Sequence, residues 1–185
     1  GAALPRPGAG CPACRRRGSP VACYHAVAYS AGALRVAIHR FKYEGQTQLA
    51  APLGRLLADW WAQQPLQVEF VAPVPLHALR ERERGYNQAE LLARALARRL
   101  ELPCFPDALR RLRYTGTQTR LDASGRLANL KDAFAPRSLV APWLQDRSLL
   151  LVDDVMTTGA TVSDAARALK SVGAGAVRVV TVARD

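Results

Sequence analysis

The segment Leu149-Leu-Leu-Val-Asp-Asp-Val-Met-Thr-Thr-Gly-Ala-Thr161 constrains this chain more than any other. The run from Ser148 to Val152 reads as a buried strand. It ends at two adjacent carboxylates, Asp153 and Asp154. A tight turn containing Thr157, Thr158 and Gly159 follows, and a helix is expected from Gly159 to Val172, ended by Gly173. In a parallel sheet, ligands sit beyond the carboxyl ends of the strands. A helix N-terminus offers unpaired N–H groups and the positive end of a dipole, which suits a phosphate. Thr157, Thr158 and Thr161 add hydroxyl donors, and Gly159 lets the backbone approach closely or take a positive φ. Carboxylates beside such a cradle can accept hydrogen bonds from vicinal hydroxyls. Phosphate on one side and a diol on the other describe a ribose 5-phosphate.

Three other readings compete. The acidic arm of a P-loop ATPase would need a loop ending Gly-Lys-Ser/Thr, which the sequence lacks. The acidic pair of a receiver domain opens its domain, whereas this pair lies late in the chain. A plain strand, turn and capped helix would use Asp and Thr in ordinary turn roles.

The remaining pattern supplies a sheet for this loop. Tyr24–Ser30 reads as a strand, Leu34, Ile38 and Phe41 recur at helical spacing, and Leu49, Leu53, Leu56, Leu57 and Trp60 mark a second helix to about Gln64. Trp60 is expected in the core and Trp61 on its rim. Val68–Val74 is a buried strand, Pro75–Gly85 a charged loop, and Asn87 a cap for a helix from Gln88 to Leu100. Leu109–Tyr114 reads as a strand, residues 115–129 as a polar loop with a short helix, and Ala176–Ala183 as the last strand. Strands alternating with helices predict an α/β fold with a mainly parallel sheet. The expected organisation is a Cys-containing segment over residues 1–23, a hood-like strand and two helices over 24–64, and a core over 65–185.

A diphosphate needs donors at both ends. The stretch after the second strand, Arg80-Glu-Arg-Glu-Arg84, offers Arg82 and Arg84 as bidentate donors. The alternative is an exposed loop pairing its own charges. The net charge of +11 and sequence pI of about 10.4 favour polyanionic partners, nucleic acid or phosphate-rich small molecules. Lys42, Lys131 and Lys170 are the only lysines. That Arg-heavy balance could also come from genome composition.

Four cysteines are present, Cys11, Cys14, Cys23 and Cys104. Cys11-x-x-Cys14 with Cys23 has zinc-ligand spacing, with His25 or Cys104 as a fourth ligand, although Cys104 fits better as a small buried side chain. No run of about 18 apolar residues occurs, so no membrane-spanning helix is expected. No basic segment followed by an apolar stretch opens the chain, so the expected location is cytoplasmic.

Leu149–Thr161 closely resembles the signature of the type I phosphoribosyltransferases. The resemblance implies that fold, with Asp153 and Asp154 on the ribose hydroxyls, and Thr157, Thr158, Gly159, Ala160 and Thr161 around the 5-phosphate. Further blocks resemble the ComF family of competence proteins. These are Ala37-Ile-His-Arg-Phe-Lys-Tyr-Glu-Gly45, Pro73-Val-Pro-Leu-His77, Arg82-Glu-Arg-Gly-Tyr-Asn-Gln88, and Thr117-Gln-Thr-Arg-Leu121 with Arg126, Asn129, Ala133 and Phe134. They run in family order from about Tyr24 to Arg184.

That resemblance implies phosphoribosyl diphosphate with Mg2+, or a nucleoside monophosphate, as ligand, a structural Zn2+ at the N-terminal cysteines, and work in DNA uptake beside a competence helicase and DNA-processing proteins. By the same analogy residues 115–129 form a loop closing over the diphosphate, with Gln118, Arg120 and Arg126 as contacts. Single-stranded DNA would call for a basic surface with stacking aromatics, and Arg98, Arg99, Arg110 and Arg111 are its candidates. Two other functions stay open: a transferase moving ribose 5-phosphate onto a nitrogenous base, and a DNA-binding adaptor with a vestigial ligand site.

Overall fold

The computed structural model describes residues 19–113 and 132–185. The signature strand sits inside a four-stranded sheet, all parallel, built from β1 (Cys23–Tyr29), β2 (Phe70–Pro73), β5 (Leu149–Met156) and β6 (Val177–Arg184) in the order β1-β6-β5-β2. Strand alternation divides its side chains between two faces. Leu149 and Leu151 of β5 pack with Val179 of β6 against Val162, Ala165, Ala166 and Leu169 of α6 (Ala160–Lys170). Leu150 and Val152 pack with Val180 and Val182 against α2 (Ala50–Gln63) and α4 (Gln88–Leu100). Both faces of β5 are covered, so a continuous apolar run is what this strand requires.

The first face also carries a two-stranded antiparallel ribbon, β3 (Leu109–Arg111) with β4 (Phe134–Pro136). A short α5 (Ala141–Leu144) precedes β5. On the second face, α1 (Gly32–Tyr43) buries Ile38 and Phe41, and α2 buries Leu53, Leu57 and Trp60. Trp61 packs on the rim of that cluster, as the helical spacing predicts. Residues 24–64, expected as a hood, contribute β1 to the sheet and α2 to its face; α1 is the part that reaches the strand ends.

The expectation of a loop over Pro75–Gly85 is corrected: Ala78–Arg84 forms a helix, α3. His77 caps it, its Nδ1 accepting from the Leu79 N–H at 3.3 Å, and Gly85 ends it at φ 85°. Ala, Leu, Arg and Glu are strong helix formers, and Glu81 in the first turn with Arg82 and Arg84 in the last complements the helix dipole. Asn87 caps α4 as read from sequence, its Oδ1 accepting from Ala89 N–H at 3.0 Å while its Nδ2 donates to the Val74 carbonyl at 3.2 Å. One residue therefore fixes α4 to the end of β2.

α2 and α4 meet at a glycine. A Cβ on Gly54 would lie 2.7 Å from Ala95 Cβ. Gly54→Ala would gain about 1 kcal/mol of helix propensity but cost about 1–3 kcal/mol in overpacking. We expect a net loss of about 1 kcal/mol, seen as a drop in Tm of about 2–4 °C; an increased Tm would mean the helices separate freely.

Candidate functional site

β5 carries one carboxylate to each face of the sheet. Asp154 follows the parity of Leu150 and Val152 and points toward α1. It is 4% exposed, and its Oδ1 receives Lys42 Nζ at 2.9 Å, while Oδ2 is buried without a hydrogen-bond partner. Asp153 follows Leu149 and Leu151 toward the ribbon, and its Oδ1 accepts the Asp154 N–H at 2.9 Å. Each carboxylate faces its own cation. Arg111 of β3 rests on the Phe134 ring, 5.4 Å from its centroid, and interacts electrostatically with Asp153.

The charges set one another's ionisation. Burial, then the neighbouring Asp154 charge, pushes Asp153 up to about 7, against the opposing pull of Lys42 and Arg111. Burial alone would lower the Lys42 ammonium, but Asp154, with Asp153 behind it, outweighs this and holds it above its ordinary value. Burial likewise pulls Arg111 down, opposed by Asp153 and Asp164. The Asp153 shift has a stability consequence. From its ordinary value of 3.8 up to about 7, the folded chain keeps a proton that the unfolded chain releases, so folding is penalised as pH rises through that window. Asp153→Asn is neutral throughout. We expect it to melt above wild type at pH 8 and level with it near pH 3.5; equal melting at both would place Asp153 in a solvated setting.

Past Met156 the chain turns through exposed Thr157 and Thr158 into α6. Gly159 precedes the helix at φ 76°, the left-handed conformation that glycine tolerates, and the Ala160 N–H reaches Thr158 Oγ1 at 3.4 Å. The first turn holds no acidic residue to occupy its N–H groups. Tyr24 of β1 steadies this helix, its hydroxyl 2.8 Å from Ser163 Oγ. Asp164, one turn further, accepts the N–H groups of Asp132 (3.2 Å) and Ala133 (2.8 Å) and pairs with Arg167. It thereby ties the start of β4 to the same helix.

Lys42, the partner of Asp154, also lines a cavity of about 160 Å3, together with Tyr43, Gly45, Arg80, Glu83 and Arg84. Its lining carries three cations and one carboxylate, with Glu83 3.8 Å from Arg80 and Lys42 held by Asp154. Of the two arginines expected for a diphosphate, Arg84 lines it, lying 5.3 Å from the Tyr43 ring centroid and donating to Gln88 Oε1. Arg82 is exposed and does not line it. Arg80 and Lys42 take places the sequence reading did not assign. For Arg80, its i,i+4 spacing from Arg84 was the available signal, hidden by reading a loop; Lys42 gave none beyond its place in a family-like block.

The four arginines proposed for nucleic acid do not form one surface. Arg98 and Arg99 are exposed on α4, whereas Arg110 and Arg111 lie on the ribbon across the sheet, and Arg111 is turned toward Asp153. Proximity in sequence misled here because residues 101–108 carry the chain from one face to the other. Gln118, Arg120, Arg126, Cys11 and Cys14 lie outside the described residues. Cys23 and His25 share the α2-side face of β1, where the His25 ring lies 4.8 Å from Trp60. Burial raises the Cys23 thiol and pushes Cys104 up to about 11, so neither is a reactive thiolate at neutral pH. Among the described residues, no group of three or more His, Cys, Asp or Glu is arranged to hold a metal, and no helix is long and apolar enough to cross a membrane.

An inner parallel strand that carries two adjacent carboxylates in its second half and leads into a Gly-opened helix lies within residues 87–185, which match the phosphoribosyl transferase domain family. Solved structures of similar fold include the allosteric regulatory enzyme of purine biosynthesis (TM-score 0.53, 16% identity, 78% of this chain and 30% of that one). A second is the B. subtilis glutamine phosphoribosylpyrophosphate amidotransferase complexed with ADP and GMP (TM-score 0.52, 18% identity, 78% and 30%). At these identities the likeness is one of fold. Closer in sequence are Competence protein F of Haemophilus influenzae, 36% identical over 82% of this chain and 68% of its own, and the DNA utilization protein YhgH of Escherichia coli K12, 36% identical over 91% and 75%. Competence protein ComFC of Bacillus subtilis is 31% identical over 77% of this chain and 56% of its own. The chain belongs to the ComF family of phosphoribosyltransferase-like competence proteins.

Proposed function

We propose that this chain binds phosphoribosyl diphosphate with Mg2+ and serves DNA uptake as a ligand-responsive component. The observation that carries the reading is that the carboxylate pair leads directly into the open N-terminus of α6, and that Lys42 joins Asp154 to the cationic cavity. Asp153 and Asp154 accept the ribose hydroxyls. The turn from Thr157 to Thr161 holds the 5-phosphate by N–H and hydroxyl donors. Arg80 and Arg84 take the diphosphate oxygens, in place of the expected Arg82. Magnesium fits as a passenger on the diphosphate, where it would neutralise part of an anion that the cavity's cations complete. The names of the relatives support competence and DNA use as the setting. A direct DNA contact has less support, since the candidate arginines face different ways.

Calorimetric titration of phosphoribosyl diphosphate with magnesium, against AMP as comparison ligand, tests the reading. Saturable binding that needs magnesium is expected. No heat from either ligand would refute it and leave the site vestigial. Turnover of a nitrogenous base in the same solution would make the chain a transferase.

A further inference from the structure

Lys42 has been given no role of its own, yet it touches two of the parts just assigned. It lies in the last turn of α1, with Nζ 2.9 Å from Asp154 Oδ1, and its side chain is only 20% exposed. The same side chain lines the cavity formed with Arg80 and Arg84. In this position the ammonium covers Asp154, whose side chain is 6% exposed, and neutralises it. An incoming hydroxyl could not reach that carboxylate. The four-carbon stem of a lysine is flexible and its head a compact charge, so it can change partners without moving the helix. An anion in the cavity, already flanked by Arg80 and Arg84, is the competing partner within its reach.

We propose that Lys42 is a displaceable latch: a phosphate group entering the cationic cavity draws its ammonium away from Asp154 and so uncovers that carboxylate for a hydroxyl donor. The proposal rests on the ribosyl-phosphate reading above. Lys42 acts here as a positioning residue, and its effect is a coupling between two ligand halves. Two anions bound side by side should otherwise repel. Positive coupling between them therefore distinguishes a latch from simple juxtaposition.

The test uses inorganic pyrophosphate and ribose 5-phosphate as separate probes, titrated calorimetrically at one magnesium concentration and pH 8. In the wild type, saturating pyrophosphate is expected to tighten ribose 5-phosphate binding about 5-fold or more, the usual scale of coupling between sites. In Lys42→Met, ribose 5-phosphate should bind equally with and without pyrophosphate. Lys42→Arg should restore the coupling. Arg84→Gln leaves the Lys42–Asp154 contact in place but loses one cation of the cavity, so the coupling between the two probes should be weaker than in the wild type. It serves as the test even if Lys42→Met fails to fold. Independent or mutually weakening binding in the wild type, or coupling that persists in Lys42→Met, would overturn the latch while leaving the ribosyl site intact. Absence of ribose 5-phosphate binding to wild type and Lys42→Met alike would overturn the ribosyl reading, and the latch with it.

Discussion

Replacing Asp153 and Asp154 together by Asn is expected to reduce affinity for phosphoribosyl diphosphate by at least about 100-fold. A hydrogen bond to a charged group is worth about 1.5–3 kcal/mol, so losing two charge-assisted bonds removes about 3–6 kcal/mol. At about 1.4 kcal/mol per decade this corresponds to two to four decades in Kd, and the amide oxygens, which still accept, keep the loss toward the lower end. The fold should survive. Asn is isosteric with Asp, the Asp153 replacement removes a half-buried charge beside the Asp154 carboxylate, and the Lys42 side chain, 20% exposed, can be solvated once Asp154 is replaced. Calorimetry on the double variant, with a melting curve as the control, checks this. Unchanged affinity would move the ligand site away from the end of β5.

Asp164→Ala should produce the largest change in stability. Asp164 is 4% exposed, and its carboxylate holds the N–H groups of Asp132 and Ala133 and the Arg167 guanidinium. Removing it orphans two N–H groups at about 1–3 kcal/mol each, partly relieved where Asp132 reaches water, for a net loss of about 3 kcal/mol. For a chain of this size that lowers Tm by about 6–12 °C. Asp164→Asn keeps an acceptor and loses the charge, so its loss should be about half as large. A wild-type Tm in Asp164→Ala would mean that the ribbon is held by its apolar contacts alone. The consequence reaches the ligand site, because β4 carries Phe134, Phe134 supports Arg111, and Arg111 faces Asp153. One buried carboxylate on α6 thus positions the cation opposite Asp153.

The α3 helix was missed because its signals are polar: a histidine cap, a first-turn Glu, last-turn arginines and a closing Gly85. An apolar period does not reveal a short helix that buries no side chain. The arginines of 98–111 were read as one patch because sequence distance ignores which side of the sheet a connection crosses to. Lys42 was invisible as a site residue, since nothing in the local pattern of α1 says that its last turn ends above a strand more than a hundred positions away.

What the sequence determined by itself was the strand–Asp-Asp–turn–helix unit and the parallel α/β layering around it. Those depend on local rules: apolar runs for buried strands, glycine for a left-handed turn, free N–H groups at a helix start. The pairing of charges around that unit depends on the assembled fold. Lys42 on Asp154, Arg111 toward Asp153, and Arg80 and Arg84 around one cavity are long-range contacts set by how α1, α3 and the ribbon pack on the sheet. An ion pair buried in this way depends on the geometry that excludes water from it, and that geometry exists only when the whole core is assembled.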